Sequence, residues 1–298
     1  MVGNWADAIA DRIVAAGPPL KGKLLLLGAA DTGKTTLMSA LADRLVPKQP
    51  VALVDADTGQ SHIGPPTTVG WTVIDPATRV NPAPPPFSAE TAELAARGIA
   101  FVGDITPVGH LLQLTAALML CVEQAEQAAD VILIDTPGLV TGGAACSLWW
   151  TIQRLLRPER IIAIQRENEL GDVLAGLQAG FSVVEMVKAP PELRRKSPEA
   201  RQQHRRRLFD RYFQNASACT LDLDNVSVRA TRRMTPDDSA GRIIGLTDVT
   251  GQDVAIGVIE RWPPKRGKVT IRVPRLDIRR VRCLTIGDTK IDISFGWS

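Results

Sequence analysis

The 298-residue chain is 45% hydrophobic and 22% charged, close to the globular average, which excludes wholesale disorder or a fibrous repeat and gives room for about two folded units. A net charge of +3 is too small at this length to name a partner, but it is unevenly spread: the basic stretches Arg194 to Arg211 and Arg261 to Arg282 both lie in the second half. Four scattered cysteines (Cys121, Cys146, Cys219, Cys283) without a C-x-x-C pair argue against a disulfide scaffold or structural zinc site and fit a reducing cytoplasm.

The first residues lack the basic start and apolar run of a signal peptide, and Leu111 to Val122, the most apolar helical stretch, is too short for a membrane span and contains Gln113. Trp5, Ile9, Ile13 and Val14 recur at helical spacing, which predicts a leading amphipathic helix over 4–16, ended by Pro18-Pro19. Lys23 to Leu27 is a continuous apolar run, the pattern of a strand buried on both faces. Val51 to Asp55 and Val131 to Asp135 match it, and each ends in a carboxylate. Helical patterns over Thr36 to Leu45, Leu111 to Ala128 and Trp149 to Leu156 alternate with these runs and with Ile161 to Ile164. Such alternation predicts an α/β fold, a parallel sheet flanked by helices. The proline-rich interval Asp75 to Phe87 reads as a surface loop. After about residue 220 the pattern shifts to short β-rich segments, Arg242 to Leu246, Val254 to Ile259 and Lys268 to Val273, so domains of 1–220 and 221–298 are expected, the second a small β domain.

Gly28-Ala29-Ala30-Asp31-Thr32-Gly33-Lys34-Thr35 fits G-x-x-x-x-G-K-[ST], after a predicted strand and before a predicted helix that opens at Thr36. In that setting backbone N–H groups and a helix N-terminus face phosphates, Lys34 reaches the β and γ oxygens, and the Thr35 hydroxyl binds Mg²⁺. The loop therefore predicts a nucleoside triphosphate, ATP or another. Asp55 and Asp57 stand two apart in an extended segment and point the same way. Thr35, Asp55 and Asp57 are the metal candidates, direct or through water, and a carboxylate there can accept a proton from an attacking hydroxyl. Either aspartate can instead merely cap the following loop. Asp135-Thr136-Pro137-Gly138 has the D-x-x-G form of a nucleotide switch, but the expected N-K-x-D is absent: after Ile164 the chain reads Gln165-Arg166-Glu167-Asn168-Glu169. Arg201 and Arg205 lie four apart on one helical face, with Arg207 and Arg211 as a second pair. Such guanidinium groups either bracket an arriving anion or form a solvated basic helix. The C-terminal basic residues, among them Lys265, Arg266, Lys268, Arg272, Arg275, Arg279, Arg280 and Arg282, cover a β surface or touch a backbone phosphate.

Taken together, Gly28 to Thr35, Asp55 to Ile63, Phe101-Val102-Gly103-Asp104-Ile105-Thr106-Pro107-Val108-Gly109-His110 and the arginine segment ending Tyr212-Phe213 resemble the polynucleotide 5′-hydroxyl kinases. The resemblance implies transfer of the γ-phosphate of a nucleoside triphosphate to the 5′-hydroxyl of RNA or DNA. It implies that Lys34 and Thr35 serve the phosphates and Mg²⁺, that Asp57 is the general base, that Arg201 and Arg205 are lid arginines within about 194–213, and that Thr136 belongs to a T-x-G segment clasping Lys34. Two positions depart from the family pattern: Leu139 replaces an expected aromatic, and Gly103 to Pro107 differs from G-x-T-S-P. Base stacking is then expected from Trp71, Phe101, Trp149 or Trp150, the last two more readily as core. His62, His110 and His204 show no metal spacing and read as structural. The family's N-terminal domain does not fit in the residues before the phosphate loop, so a minimal kinase is expected. A nucleotide-binding scaffold of an RNA-processing complex, or an ATPase or GTPase driving a partner, are the alternatives.

Overall fold

The structure, a computed structural model, describes residues 2–16, 20–75, 96–178, 180–230, 238–263, 267–274 and 276–292. Pro18, Pro19, residues 76–87 of the proline-rich interval, Lys265, Arg266 and Arg275 lie outside them.

The apolar runs form the centre of the fold. Strands β1 (Gly22–Gly28), β2 (Val51–Asp55), β5 (Val131–Asp135), β6 (Arg160–Gln165) and β7 (Val183–Lys188) lie in the order β7-β6-β1-β5-β2, every pair parallel. Their side chains alternate between two buried faces, which is why the runs are unbroken. Leu24 and Leu26 of β1, with Val51, Leu53, Val131 and Leu133, face helices α1 (Val2–Ala15) and α2 (Lys34–Leu45). Leu25 and Leu27, with Ala52, Val54, Ile132 and Ile134, face α3 (Leu111–Glu126), α4 (Gly142–Leu156) and α5 (Gly171–Leu177). The two cores are separated by one sheet, as the period of 2 along a strand requires.

Beyond β2 the sheet departs from the parallel expectation. β3 (Thr68–Ile74) and β4 (Gly98–Phe101) add to it antiparallel, with Asp55 opposite Gly70 and Thr68 opposite Phe101. The chain returns from β2 to β3 through residues 56–67 without a crossover helix, and so short a connection permits only an antiparallel neighbour.

The C-terminal strands are β8 (Ser217–Asp222), β9 (Ser227–Ala230), β10 (Arg242–Asp248), β11 (Asp253–Arg261), β12 (Lys268–Val273) and β13 (Val281–Lys290). They enclose their own core of Ile244, Leu246, Ile259, Ile271, Val281, Leu284 and Ile286. β11 joins β4, with Asp253 opposite Ile99, so one hydrogen-bonded sheet of 13 strands runs through both halves. The arginine segment forms helix α6 (Pro198–Phe213), started by Ser197, whose hydroxyl accepts from the Ala200 N–H at 3.2 Å, and by Pro198 in the first turn. Its far end packs Phe209 and Phe213 on Ile243, Ile256 and Val258, and the Tyr212 hydroxyl accepts from the Ile256 N–H at 3.0 Å. Thus α6 is anchored on the C-terminal strands and reaches back over the ends of β1, β2 and β5.

Candidate active site

Between β1 and α2 the chain folds into the phosphate loop. Gly33 adopts φ 95°, a left-handed conformation open chiefly to glycine, and supplies no side-chain cap. The first N–H groups of α2 are therefore left facing a cleft of about 480 Å³. Ala30 to Thr36 line that cleft together with Asp57, Gln60, His62, Arg194, Lys196 and Arg201. The Lys34 ammonium donates to the carbonyls of Gly28 and Ala29, both at 2.9 Å.

Three carboxylates meet at the strand ends with different duties. The Thr35 hydroxyl donates to Asp135 Oδ2, while Asp135 Oδ1 is buried and has no hydrogen-bond partner among the described residues. Asp55 stands opposite Asp135 on the neighbouring strand. Its oxygens accept from the N–H groups of Asp57 (2.9 Å), His62 (2.5 Å) and Ile63 (3.2 Å), so its carboxylate is spent shaping the loop after β2. Burial raises the pKa of both Asp55 and Asp135; the Lys34 charge opposes the rise at Asp135, and backbone N–H donors oppose it at Asp55. Asp57 lies on the cleft wall, its Oδ1 accepting from Gly59 (3.1 Å) and Gln60 (3.0 Å). Among the described residues Asp57 Oδ2 accepts no hydrogen bond.

The segment leading into α6 meets the phosphate loop at Asp31, itself at φ 59°. Its carboxylate accepts from Arg201 Nη2 at 2.5 Å and from the Lys196 N–H at 3.0 Å, and its carbonyl accepts from Arg166 Nη2 at 2.5 Å. Leu193 and Trp5 pack over Gly33 from outside. Arg205, one turn further along α6, does not line this cleft: it faces a neighbouring groove, though it lies close enough to Asp57 to feel its charge, and burial lowers its pKa. The structure thus brings Lys34, Thr35, Asp57 and Arg201 to one cavity and sets Arg205 at its edge.

The Thr136 hydroxyl donates to the Leu26 carbonyl at 2.7 Å and is fully buried, so it ties β5 to β1, while the Lys34 ammonium donates to Gly28 and Ala29. The same segment presses on the phosphate loop through Gly138, where a Cβ would stand 2.5 Å from the Ala30 nitrogen. Gly138→Ala is accordingly expected to displace the loop and weaken nucleotide binding by about tenfold or more, the equivalent of a ~1–3 kcal/mol overpacking cost. Calorimetric titration with nucleotide checks it, and unchanged affinity would show the contact to be yielding.

Sequence reasoning gave little weight to Asp135, His62 and Arg166. Asp135 could have been found from its place at the end of the strand beside β1. His62 could not: its imidazole reaches the cleft wall only because Asp55 holds its backbone, and it lies 5.9 Å from the ring of His204 on α6. Burial lowers the pKa of both histidines, that of His204 to about 4. Of the aromatic candidates, Trp149 is fully buried with its indole N–H on the Leu139 carbonyl (2.6 Å), and Trp150, Trp71 and Phe101 also lie off the cleft.

Residues 28–215 match the family model described as the mRNA cleavage and polyadenylation factor CLP1 P-loop. The chain is 32% identical over 214 residues to a polyribonucleotide 5′-hydroxyl-kinase of Pyrococcus furiosus, covering 70% of this chain and 55% of that protein. It is 30% identical over 209 residues to that of Pyrococcus horikoshii, 70% of this chain and 54% of the relative, and 30% identical over 211 residues to that of Methanocaldococcus jannaschii, 70% and 55%. The chain therefore spans about half the length of the curated relatives it matches. Among solved structures, the wild-type Clp1p–Pcf11p complex contains a chain of the same fold, with a TM-score of 0.69 at 13% identity over 95% of this chain and 77% of that one.

Proposed function

Because this chain belongs to the CLP1 P-loop family, we propose that it is a polynucleotide 5′-hydroxyl kinase, transferring the γ-phosphate of ATP or another nucleoside triphosphate to the 5′-hydroxyl end of RNA or DNA. The observation that carries this reading is the meeting in one cleft of a phosphate loop, an aspartate suited to proton removal and a lid arginine. Nucleotide hydrolases also use a phosphate loop and an arginine, so the member that favours a kinase is the aspartate placed to take a proton from an incoming hydroxyl. The related proteins named above as polyribonucleotide 5′-hydroxyl kinases support the same reading.

In this mechanism the α2 N-terminus and the loop N–H groups hold the triphosphate, and Lys34 turns from the Gly28 and Ala29 carbonyls to its β and γ oxygens. Asp57 accepts the proton of the 5′-hydroxyl as its oxygen attacks phosphorus in line with the departing diphosphate. Arg201 neutralises charge on the transferred group. The residues at the strand ends fit Mg²⁺, since Thr35 and Asp135 supply hard oxygen donors and Asp135 Oδ1 is buried without a partner among the described residues. Thr35 and Asp135 would hold the ion, with Asp57 reached through water, and Asp55 would remain structural. Bound there, Mg²⁺ would supply positive charge that neutralises the donor phosphates. Asp135→Asn is expected to raise the Mg²⁺ concentration needed for tight nucleotide binding by about tenfold, in line with loss of one charged ligand. Nucleotide titrations at graded Mg²⁺ check it, and an unchanged requirement would remove Asp135 from the metal site.

The deciding experiment incubates the protein with Mg²⁺, γ-labelled ATP or GTP, and matched RNA and DNA oligonucleotides carrying 5′-hydroxyl or 5′-phosphate ends. Label confined to 5′-hydroxyl ends is the expected result. Label released only as free phosphate would mark a nucleotide hydrolase, and nucleotide binding without turnover a scaffold. No helix among the described residues is long and apolar enough to cross a membrane.

A further inference from the structure

Helix α6 has a second working face. Turned about a third of a turn from Arg201, residues Gln202, Arg205, Arg206, Phe209 and Asp210 wall a groove of about 320 Å³, whose opposite side is the end of β13 and the two residues after it, Thr289 to Asp292. That volume falls in the range of about 300–1,000 Å³ that bound small molecules occupy. The floor is Ile105.

This groove is continuous with the turn that carries Asp57. A Cβ on Gly59 would stand 2.6 Å from the Ile105 carbonyl, so the two loops touch backbone to backbone. Gly103 in turn is bound to β13, its carbonyl accepting from the N–H groups of Asp288 (2.8 Å) and Thr289 (3.2 Å). The C-terminal strand is therefore part of the same wall as the Asp57 turn. Arg205 is half-buried and makes no hydrogen bond or ion pair among the described residues, while its neighbours are committed: Arg206 lies 4.0 Å from Asp210, and Lys290 at the rim 2.8 Å from Asp238. A guanidinium partly out of water, which feels the Asp57 charge but is hydrogen-bonded to no carboxylate among the described residues, is arranged for an anion that arrives from outside.

We propose that this groove receives the acceptor strand, the Arg205 guanidinium taking the first backbone phosphate beyond the reacting 5′-hydroxyl and the Lys290 ammonium the next, so that the C-terminal β strands form one wall of the substrate site. The proposal rests on the kinase reading for the identity of the reacting end, but not for the binding itself. Donor and acceptor then approach Asp57 from opposite sides, the triphosphate through the Arg201 cleft and the polynucleotide through the Arg205 groove, as in-line transfer requires. Phosphate contacts carry no sequence information, so recognition here is of the polynucleotide backbone.

A third cavity of about 660 Å³, lined by Arg97, Arg211 and Arg280 on the other side of α6, is the competing location. Arg280 there is paired with Asp248 at 3.3 Å, much as Lys290 is with Asp238, so what favours the groove is its backbone contact with the Asp57 turn through Gly59 and Ile105.

The test measures binding of fluorescent 5′-hydroxyl oligonucleotides by anisotropy without nucleotide triphosphate, across a salt series, for the wild-type protein, Lys290→Gln and Asp238→Asn. Lys290→Gln should weaken binding by about fivefold to tenfold and reduce the salt slope by about one. Asp238→Asn removes the same ion pair, together with one carboxylate partner of the buried Arg242, but keeps the Lys290 ammonium, so with the fold intact by melting temperature it should bind at least as well as wild type. Equal weakening in both variants would show a merely structural role and overturn the proposal, as would unchanged binding in Lys290→Gln or photocrosslinks that map to Arg97, Arg211 and Arg280 in place of Thr289 to Asp292. Because binding is read without turnover, a protein that binds through Lys290 yet transfers no label refutes the kinase reading alone. One that transfers label at wild-type KM for the oligonucleotide in Lys290→Gln refutes the groove alone.

Discussion

Asp57→Asn is expected to lower phosphoryl transfer to 5′-hydroxyl ends by about 10²- to 10⁴-fold while leaving nucleotide affinity within about twofold, the range attributed to loss of a positioned general base. The selectivity follows from the local geometry. Asp57 Oδ1 accepts from the N–H groups of Gly59 and Gln60, and the amide oxygen of asparagine can accept both in the same place, so the turn keeps its shape. What disappears is the oxygen that could take a proton. Single-turnover transfer beside calorimetric nucleotide binding separates the two. Retained transfer would mean that the hydroxyl needs no base or that another group supplies it. Asp55 provides the contrast. Fully buried and holding three N–H groups, Asp55→Ala is expected to leave those donors unsatisfied and to cost several kcal/mol of stability, at about 1–3 kcal/mol for each stranded group. Its loss of activity would therefore come with a lowered melting temperature, whereas that of Asp57→Asn would not.

The difference between these two aspartates also shows what the sequence could and could not disclose. Strands β1, β2 and β5 were legible because burial on both faces demands unbroken apolar runs, and their observed ends at Asp55 and Asp135 coincide with those expected. The phosphate loop was legible because its geometry is local, requiring only a strand, a glycine at positive φ and a helix. β3 was not, since Thr68–Ile74 is interrupted by Gly70, whose lack of a side chain is explained only by the Ile63 backbone lying against it. Nor was the division of labour among carboxylates. Spacing alone set Asp55 and Asp57 on one side of an extended chain; the chain turns after β2, and Asp55 folds its oxygens onto the turn while Asp135, on the neighbouring strand, meets Thr35. Periodicity likewise placed Arg201 and Arg205 on one face of a helix, but which cavity each enters depends on the anchoring of Phe209 and Phe213 to strands more than 30 residues further along the chain.

That anchoring bears on the second large effect. Arg201→Ala is expected to reduce the rate of transfer by about 10³-fold or more, as loss of an arginine that stabilises the transferring phosphoryl group does in other phosphotransferases. Arg201→Lys should recover little of it, because an ammonium cannot present two N–H groups in the plane of a phosphoryl oxygen pair. In the structure Arg201 is positioned by Asp31, within the phosphate loop itself, and its Nε is buried without a hydrogen-bond partner among the described residues, leaving one donor available. The carboxylate therefore holds the guanidinium over the loop and competes for it at the same time. Asp31→Asn distinguishes which role dominates. If positioning matters more, the variant loses turnover while Arg201→Ala adds little further loss on top of it. If competition matters more, Asp31→Asn turns over faster than wild type, and the double variant falls to the level of Arg201→Ala alone. Pre-steady-state transfer rates for the four proteins give the coupling directly. The Lys196 N–H, which donates to the same Asp31 carboxylate, favours the first outcome, since it fixes the segment leading into α6 to the phosphate loop beside Arg201. An additive double variant would show that Asp31 and Arg201 act separately and would sink the idea that the loop itself positions the lid.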